Sequence, residues 1–256
     1  MDDPSAPTNP VSTVDTAFDI LEFIYTSEGV TLGELSAELD LAKSTVHRHL
    51  HTLKHRQYVV CEDDRYYLSL KSLEFGKHVQ TRKRGYRMAR DKVEKLAEET
   101  GERAQFMVEE HGQAVYVHCE TGSQAVQTDP GIGKRVPIHA ISAGKAILAE
   151  LPDERVESIL DRHGLPAITA HTKTDRESLF EELERIRERG YGVNYEENVE
   201  GLRALGTSIR DADGDVLGAI SVSGPSHRMK GPLFEEELPN LLLGTANELE
   251  LNIVHS

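Results

Sequence analysis

Three short amphipathic helices are predicted in close succession near the N-terminus, and their spacing constrains the fold more than any other feature of the sequence. Apolar residues recur at steps of three and four over Val14–Ile24, which indicates a helix. Thr31 and Glu34 form a capping box at the start of a second helix. A third helix follows directly after a break near Asp40, with Val46, Leu50 and Leu53 facing inward. Two short helices joined by a tight turn and preceded by a support helix match the helix-turn-helix arrangement.

The third helix has an unusual charge composition. The stretch Leu41–Arg56 contains no acidic residue, in a chain of 256 residues that has 44 Asp and Glu. Lys and Arg attract phosphates, whereas Ser, Thr and Arg hydrogen-bond the edges of bases. The stretch therefore predicts a helix that reads DNA, with an unrelated basic helix as the alternative. The predicted DNA contacts on this helix are Lys43, Ser44, Thr45, His47 and Arg48.

A β-hairpin is predicted directly after this helix. Two β-rich runs, Tyr58–Cys61 and Tyr66–Leu68, flank the polar turn Glu62–Arg65, although the turn lacks the preferred Asn-Gly. A hairpin in this position is the wing of a winged helix-turn-helix. Arg65 is the basic residue at its tip, so it is a further candidate for contact with a phosphate or the minor groove, while its acidic neighbours argue against that role.

A helical linker is predicted after the wing. Residues 70–100 read as helical, and eight basic but only two acidic residues lie between positions 71 and 92. This helix either touches the DNA backbone or pairs with an acidic neighbouring domain, and Gly85 is predicted to mark its end. The predicted organisation is a disordered arm over 1–10, a winged helix-turn-helix over 11–70, a linker helix over 71–85 and an effector-binding and oligomerisation domain over 86–256.

Charge and cysteine content indicate the environment of the chain. The net charge is −15, and the acidic excess is concentrated in residues 93–256, which have 16 basic and 30 acidic residues. This acidic balance and the absence of Trp predict adaptation to high salt. Two cysteines, Cys61 and Cys119, fit a reducing compartment. No apolar run is long enough to span a membrane and the first residues are unlike a signal peptide, so a cytoplasmic protein is predicted.

The C-terminal part alternates between strand and helix patterns. A hairpin signal, Asp-Gly at 213–214, joins two apolar strands, and Pro232 begins a final helix. This order predicts an α+β domain whose antiparallel sheet is covered by helices. The predicted strands are 105–110, 114–119, 202–210 and 216–223, and the predicted helices are 142–150, 153–163, 175–189 and 232–254.

Four separate segments of the chain resemble the signature segments of the IclR family of transcription regulators. They are KSTVHRHLHTL (43–53), VPIHAISAGKAILA (136–149), RGYGVNYEENVEGL (189–202) and GAISVSGPSHR (218–228). The resemblance implies a winged helix-turn-helix, a linker helix and a GAF-like effector domain. It also implies homodimers, often paired into homotetramers, that bind palindromic double-stranded DNA operators and respond to small organic acids or related metabolites. The predicted function is regulation of a metabolic pathway, of sugar or organic-acid catabolism, by a polar or anionic metabolite.

The same segments suit a ligand pocket. Small residues at the start of the helix over 142–150 leave backbone N–H groups free to face an anion, and strand alternation places Ser221 and Ser223 on one face. By resemblance, effector ligands lie where these features meet Asn194. Family members that bind small 2-oxo acids often have Asp at position 194 and Cys at position 204, so an altered pocket is expected; the alternative is that the serines are satisfied core residues. The predicted effector-binding residues are Ser142, Ala143, Asn194, Leu202, Ala204, Ser221 and Ser223.

Catalytic and metal sites find little support in the sequence. His118 and Cys119 are adjacent on a strand and point to opposite faces, so histidines such as His111, His118 and His139 are predicted to be structural. No nucleotide-binding loop or Gly-x-Ser-x-Gly elbow is present. Glu196 and Glu197, which adjoin the predicted pocket, read as solvated charges. No enzyme activity, metal or cofactor is therefore predicted.

Two functions from different classes remain open at this point. The first is a ligand-responsive DNA-binding regulator, which accounts for the basic helix, the wing and the acidic C-terminal part together. The second is a small-molecule-binding or metabolic enzyme domain whose winged helix contacts another protein. The absence of carboxylates over Leu41–Arg56 favours the first, because a protein-contact helix has no need to exclude them.

Overall fold

The computed structural model describes residues 11–126 and 131–255, which form two compact units that divide between Val79 and Gln80. The predicted arm over 1–10 lies outside the described residues. Each unit contains its own hydrophobic core. The predicted α+β class, with a helix-turn-helix preceding a mixed helix and sheet domain, is confirmed.

The N-terminal unit begins with three helices, α1 (Ser12–Tyr25), α2 (Leu32–Glu38) and α3 (Lys43–His55). The capping box at the start of α2 is present: the Thr31 hydroxyl accepts from the Glu34 amide at 3.2 Å, and the Glu34 carboxylate accepts from the Thr31 amide at 2.7 Å. Local sequence signals therefore place the start of α2 correctly. The core of this unit consists of Ile20, Ile24, Val30, Leu35, Val46, Leu50, Leu53 and Val59.

The turn between α2 and α3 is tight because one residue adopts a left-handed conformation. Asp40 has a φ of 49°, a conformation that Asp tolerates better than most residues. The Leu41 amide donates to the Ser36 carbonyl at 3.1 Å, and the Ser36 hydroxyl donates back to the Leu41 carbonyl at 2.6 Å. These bonds hold the start of α3 against the end of α2.

The predicted wing is an antiparallel hairpin of β1 (Val59–Glu62) and β2 (Arg65–Leu68). Its two turn residues, Asp63 and Asp64, have φ values of 48° and 61°. Positive φ at both central residues is what a type I′ hairpin turn requires, and Asp supplies it here in place of Asn-Gly. Val30 adds an antiparallel bridge to β2, which ties the wing to the helical part of the unit.

The linker region contains two helices, α4 (Lys71–Thr81) and α5 (Arg84–Thr100). The prediction that Gly85 marks the break is wrong, because the chain breaks at residues 82–83 and Gly85 lies in the first turn of α5. A Cβ atom at Gly85 would lie 2.3 Å from the Leu217 side chain, so glycine at this position allows close packing of α5 and does not form a turn. No residue of α4 is buried.

The C-terminal unit is built on an antiparallel sheet with the strand order β5-β4-β3-β8-β7-β6. Strands β5 and β6, of three and four residues, were not predicted because such short segments carry too little alternation. The sheet strands are β3 (Arg103–Glu110), β4 (Gln113–Thr121), β5 (Arg135–Pro137), β6 (Gly192–Tyr195), β7 (Leu202–Arg210) and β8 (Val216–Pro225).

Helices cover both faces of this sheet. Helix α5 and the final helix α9 (Leu238–His255) share one core with Phe106 and Ile220. The other face has a separate core that includes Met107 and Ala219. The helices on that second face are α6 (Ser142–Glu150), α7 (Asp153–His163) and α8 (Arg176–Arg189).

Over the described residues, no helix combines the length and the apolar character that crossing a membrane would need.

Candidate functional site

The exposed face of α3 carries the residues that the sequence predicts as DNA contacts. Val46, Leu50 and Leu53 are buried at helical spacing, which turns the remaining side chains outward. Lys43 and Arg48 form no ion pair with any described residue. Their charges are therefore available to an external anion. Lys43, Ser44, His47 and Arg48 are exposed, and Thr45 is half-buried.

A groove of about 710 Å³ separates α3 from α1. The α1 side is apolar and includes Val14 and Phe18, both of which are largely exposed. Thr45 and Arg48 lie on the α3 side. Among the described residues, exposed apolar side chains therefore lie next to a predicted DNA contact.

Arg65 occupies a different position from the one that the sequence suggests. Its guanidinium donates to the Gly29 carbonyl at 2.6 Å and lies 3.5 Å from the Glu34 carboxylate. The hydrogen bond from the Thr31 amide is the main cause that lowers the pKa of Glu34, and Arg65 adds to it. In this conformation Arg65 binds the wing to the start of α2 and does not extend from the tip of the hairpin.

In the C-terminal unit, the sheet register brings together residues that are distant in sequence. Cross-strand pairing places four residues side by side in one row: Asn194 on β6, Ala204 on β7, Ser223 on β8 and Arg103 on β3. Because alternate residues of a strand share a face, the next row on this face is Gly192, Gly206, Ser221 and Gln105. These two rows form the floor beneath the start of α6.

The two glycines of the second row allow α6 to approach the sheet. A Cβ atom at Gly206 would lie 2.7 Å from the Ala143 amide nitrogen, and one at Gly192 would lie 2.5 Å from the Ser142 carbonyl oxygen. The first turn of α6 therefore rests on the backbone of β6 and β7. The backbone amides of a first helical turn have no partner within the helix, so they favour a bound anion.

A cavity of about 300 Å³ lies over this floor, and five of the seven predicted effector-binding residues line it: Ser142, Asn194, Leu202, Ala204 and Ser223. Ala143 and Ser221 lie beside the cavity and do not line it. The Ser221 hydroxyl donates to the amide oxygen of Gln105, a lining residue, at 2.7 Å. The remaining lining residues were not predicted; they are Arg103, Gln105, Met107, Tyr116, Lys134, Val136, Ile141, Asn198, Val199 and Arg203.

Gln105 organises the two serines of β8. Its amide nitrogen donates to the Ser223 hydroxyl at 2.7 Å, while its amide oxygen accepts from Ser221. Each serine therefore has one protein partner, and Ser223 keeps a hydroxyl hydrogen for another acceptor. The alternation of residues along β8 indicated the two serines. Their partner Gln105 could not be predicted, because its place beside them depends on β3 lying next to β8, for which the sequence has no local signal.

Three cationic side chains line the cavity, those of Arg103, Lys134 and Arg203. No carboxylate of a described residue lines it. The Arg103 guanidinium donates from Nε to the Cys119 sulfur at 3.1 Å. The Arg203 guanidinium lies over the Tyr195 ring at 5.3 Å, with Glu196 at 3.9 Å. Burial raises the pKa of Tyr116, so its phenol stays protonated and can donate a hydrogen bond into the cavity. The lining favours a ligand with negative charge.

Asn194 holds the loop that follows β6. Its amide nitrogen donates to the Ala140 carbonyl at 2.7 Å, and its amide oxygen accepts from the Glu197 amide at 2.9 Å. An aspartate at this position could accept from Glu197 but, when ionised, could not donate to Ala140. Asn194 therefore both lines the cavity and fixes the loop that contributes Asn198 to it.

Glu197 is not solvated, which corrects the prediction for this residue. It is 4% exposed and forms an ion pair of 2.5 Å with Lys145 of α6, which is fully buried. The other Glu197 carboxylate oxygen, Oε2, has no hydrogen-bond partner among the described residues. Burial lowers the pKa of Lys145, and the nearby Glu197 opposes that shift. The ion pair joins the helix above the cavity to the loop at its edge.

Two of the histidines considered as metal ligands, His118 and His139, contact backbone carbonyls. Nε2 of His118 lies 2.6 Å from the Tyr86 carbonyl, and Nε2 of His139 lies 3.2 Å from the Pro166 carbonyl. Throughout residues 11–126 and 131–255, no cluster of three or more His, Cys, Asp or Glu has a geometry that could hold a metal.

His139 is expected to make the C-terminal unit less stable at acidic pH. Burial lowers the pKa of His139 below its usual value of 6.5, although the Pro166 carbonyl partly offsets this effect. The unfolded chain therefore binds a proton at a higher pH than the folded unit, and stability falls as pH drops below about 6.5, by at most about 1.4 kcal/mol per pH unit. Thermal unfolding between pH 7.5 and 5 measures this loss. The His139→Gln variant retains a donor for Pro166, and it should show a flatter curve; an unchanged curve would assign the pH dependence to other groups.

A winged helix-turn-helix with an exposed basic helix, followed by an α+β unit with a polar cavity above its sheet, defines a class of protein: the DNA-binding regulator with an effector domain. Comparison with known proteins agrees with this class. A model of the IclR helix-turn-helix domain matches residues 13–62, and a model of the C-terminal domain of the bacterial transcriptional regulator IclR matches residues 80–250. The chain belongs to the IclR family of transcriptional regulators.

Individual relatives cover nearly the whole chain. A protein of Halobacterium salinarum named "Probable HTH-type transcriptional regulator ArcR" is 31% identical over 261 residues, covering 98% of both chains. The acetate operon repressor of Salmonella typhimurium is 31% identical over 257 residues, covering 97% of this chain and 93% of the repressor. The crystal structure of Thermotoga maritima IclR superposes with a TM-score of 0.81 at 28% identity, covering 96% of this chain and 100% of that one. An IclR homologue from Microbacterium hydrocarbonoxydans complexed with 4-hydroxybenzoate shares the fold, with a TM-score of 0.80 at 22% identity over 95% of this chain and 100% of its own.

Proposed function

We propose that the protein binds a palindromic operator as a homodimer, or as a pair of dimers, and that a small anionic metabolite modulates this binding. The observation that carries the proposal is the outer face of α3, which presents Lys43 and Arg48 without a neutralising carboxylate from any described residue. In this proposal α3 enters the major groove. Ser44, Thr45, His47 and Arg48 lie toward its N-terminal end, where a recognition helix contacts base edges.

Exposed apolar side chains support dimerisation through the N-terminal unit. Helix α4 has no buried residue, yet α4 and the residue before it expose four large apolar side chains. Helix α1 exposes three further ones. A second copy that covers these faces would bury them, which is favourable. A palindrome reader also needs two recognition helices about 34 Å apart. The exposed apolar residues are Leu70, Leu73, Phe75 and Val79 near or on α4, and Val14, Phe18 and Tyr25 on α1.

The cavity of the C-terminal unit suits a small carboxylate. Amides of the first turn of α6, Arg203 and Lys134 supply positive potential, and Ser223 supplies a hydroxyl donor. Met107, Ile141 and Leu202 supply an apolar wall. The 4-hydroxybenzoate found in the Microbacterium homologue has this combination of a carboxylate and an apolar body. The proposed effector is therefore an organic acid of a catabolic pathway.

The test of the regulator function is a genome-wide map of DNA bound by the tagged protein in its own cells. Discrete peaks that share a palindrome are expected, and the genes beside them indicate which organic acids to test. A map without peaks, with and without such acids in the medium, would favour a protein-contact role for the winged helix.

Ligand binding is expected to depend on the charge and hydroxyl groups of the cavity. In a thermal-shift assay against a panel of small carboxylates that includes 4-hydroxybenzoate, at least one acid should raise Tm, because a ligand at 100 times its Kd stabilises by about 2.7 kcal/mol. Arg203→Gln and Ser223→Ala should abolish most of that shift. The amides of the same acids serve as neutral controls. Equal shifts with the amides, or full shifts in both variants, would contradict the anionic site.

A further inference from the structure

Four histidines lie on helix α3, and three of them share one face. His47, His51 and His55 follow each other at intervals of four residues, so they form a stripe along the helix that begins one turn after Lys43. All three are exposed. The fourth, His49, is half-buried and lines the groove toward α1. His47, His51 and His55 together form the histidine stripe.

The imidazoles of the histidine stripe are not engaged by the protein. None of them forms a hydrogen bond or an ion pair with a described residue, so no described carboxylate lies within 4.0 Å of them. The elements packed against α3 are α1, α2 and β1. Their acidic residues, including the α2–α3 turn, are Asp15, Asp19, Glu22, Glu34, Glu38, Asp40 and Glu62, and the other charged groups of α3 and its end are Lys43, Arg48, Lys54 and Arg56.

We infer that the histidine stripe makes DNA affinity increase as pH falls, because its imidazoles take up protons when α3 enters the negative potential of the DNA phosphates. The inference rests on the proposed DNA-reading role of α3. Imidazole is the side chain whose charge ordinarily changes between pH 5 and 8. A neighbouring phosphate favours the protonated form of an imidazole, so DNA binding is coupled to proton uptake.

The sign of the effect follows from proton uptake. Because protons are taken up on binding, DNA affinity increases as pH falls and the added affinity is lost as pH rises. Each linked proton changes Kd by at most about tenfold per pH unit. Three partly linked sites should lower Kd by roughly tenfold or more between pH 8 and pH 6. Protonated imidazoles that contact phosphates should also steepen the dependence of log Kd on log salt by about 0.9 each.

The experiment measures the affinity of the full-length protein for a random-sequence duplex of roughly 30 base pairs with a rhodamine label that is insensitive to pH. Phosphate contacts do not depend on base sequence, so no operator is needed. Anisotropy titrations at pH 6 and pH 8, each at several salt concentrations, are compared for the unmodified protein, the variant with all three histidines of the stripe changed to Gln, His51→Gln alone, and His227→Gln. His227 is an exposed histidine of the C-terminal unit and provides the matched control.

The expected result is a pH-dependent Kd and salt slope in the unmodified protein and in His227→Gln. The dependence should be reduced by about a third in His51→Gln and nearly absent in the triple variant. Thermal melts show that the variants are folded, since exposed positions tolerate Gln. DNA binding with the same pH dependence in the triple variant would overturn the inference while leaving the regulator function intact. An absence of DNA binding at both pH values would overturn the DNA-reading role itself, and the inference with it.

Discussion

Replacing Arg48 with alanine is expected to weaken operator binding by about 1–3 kcal/mol, which is roughly 5- to 150-fold in Kd. Arg48 is exposed and unpaired among the described residues, so the free protein loses little when the guanidinium is removed. In the complex, a bidentate contact to a base would be lost. The loss should be largest for the cognate operator and smaller for a random duplex. Competition titrations of the two DNAs measure the difference.

The Lys43→Ala variant separates phosphate attraction from base reading. Lys43 is a point charge at the start of α3, so its loss should weaken binding to all sequences alike and reduce the salt slope by about 1. Lys95→Ala removes the same charge from an exposed, ion-paired position on α5 and is the control. If a double variant without Lys43 and Arg48 still bound its operator, α3 would not be the reading helix.

The N-terminal unit could be predicted from sequence because its signals are local. The capping box of α2, the break at Asp40 and the stretch without carboxylates each lie within one or two turns of chain. The position of Arg65 could not be predicted in the same way. Its partner is the Gly29 carbonyl, 36 residues earlier, which only the packed unit brings close to it.

The cavity was harder to predict than the N-terminal unit, because several of its lining residues are brought together by strands that are distant in sequence. The start of α6 and the serines of β8 are visible in sequence, and the family resemblance placed Asn194 near them. Arg103 and Gln105 were missed because their contribution depends on β3 lying next to β8, a strand more than a hundred residues later. No spacing rule within one sequence predicts which distant strand becomes a neighbour. Glu197 was predicted wrongly for the same reason, since its partner Lys145 is 52 residues away.

Replacing Lys145 with methionine is expected to lower the free energy of unfolding of the C-terminal unit by about 3–5 kcal/mol, since it leaves the Glu197 carboxylate buried without its partner. One oxygen of that carboxylate already lacks a hydrogen-bond partner within the described part of the chain, so little compensation is available. For a unit of this size the loss corresponds to a fall in Tm of roughly 6–20 °C. Calorimetry at neutral pH measures the change, with Lys95→Ala as a control for the loss of a lysine at the surface.

The double variant Lys145→Met, Glu197→Leu tests whether the loss of stability in Lys145→Met comes from the unpaired carboxylate or from the loss of side-chain packing. Apolar replacement of both members of a buried ion pair is often neutral or stabilising, so the double variant should recover most of the Tm lost by Lys145→Met alone. Glu197→Gln should be milder than Lys145→Met, because burial already lowers the pKa of Lys145 and makes loss of its proton less costly. If the double variant were as unstable as Lys145→Met, the packing of these side chains, and not their charge, would hold the loop after β6 to α6.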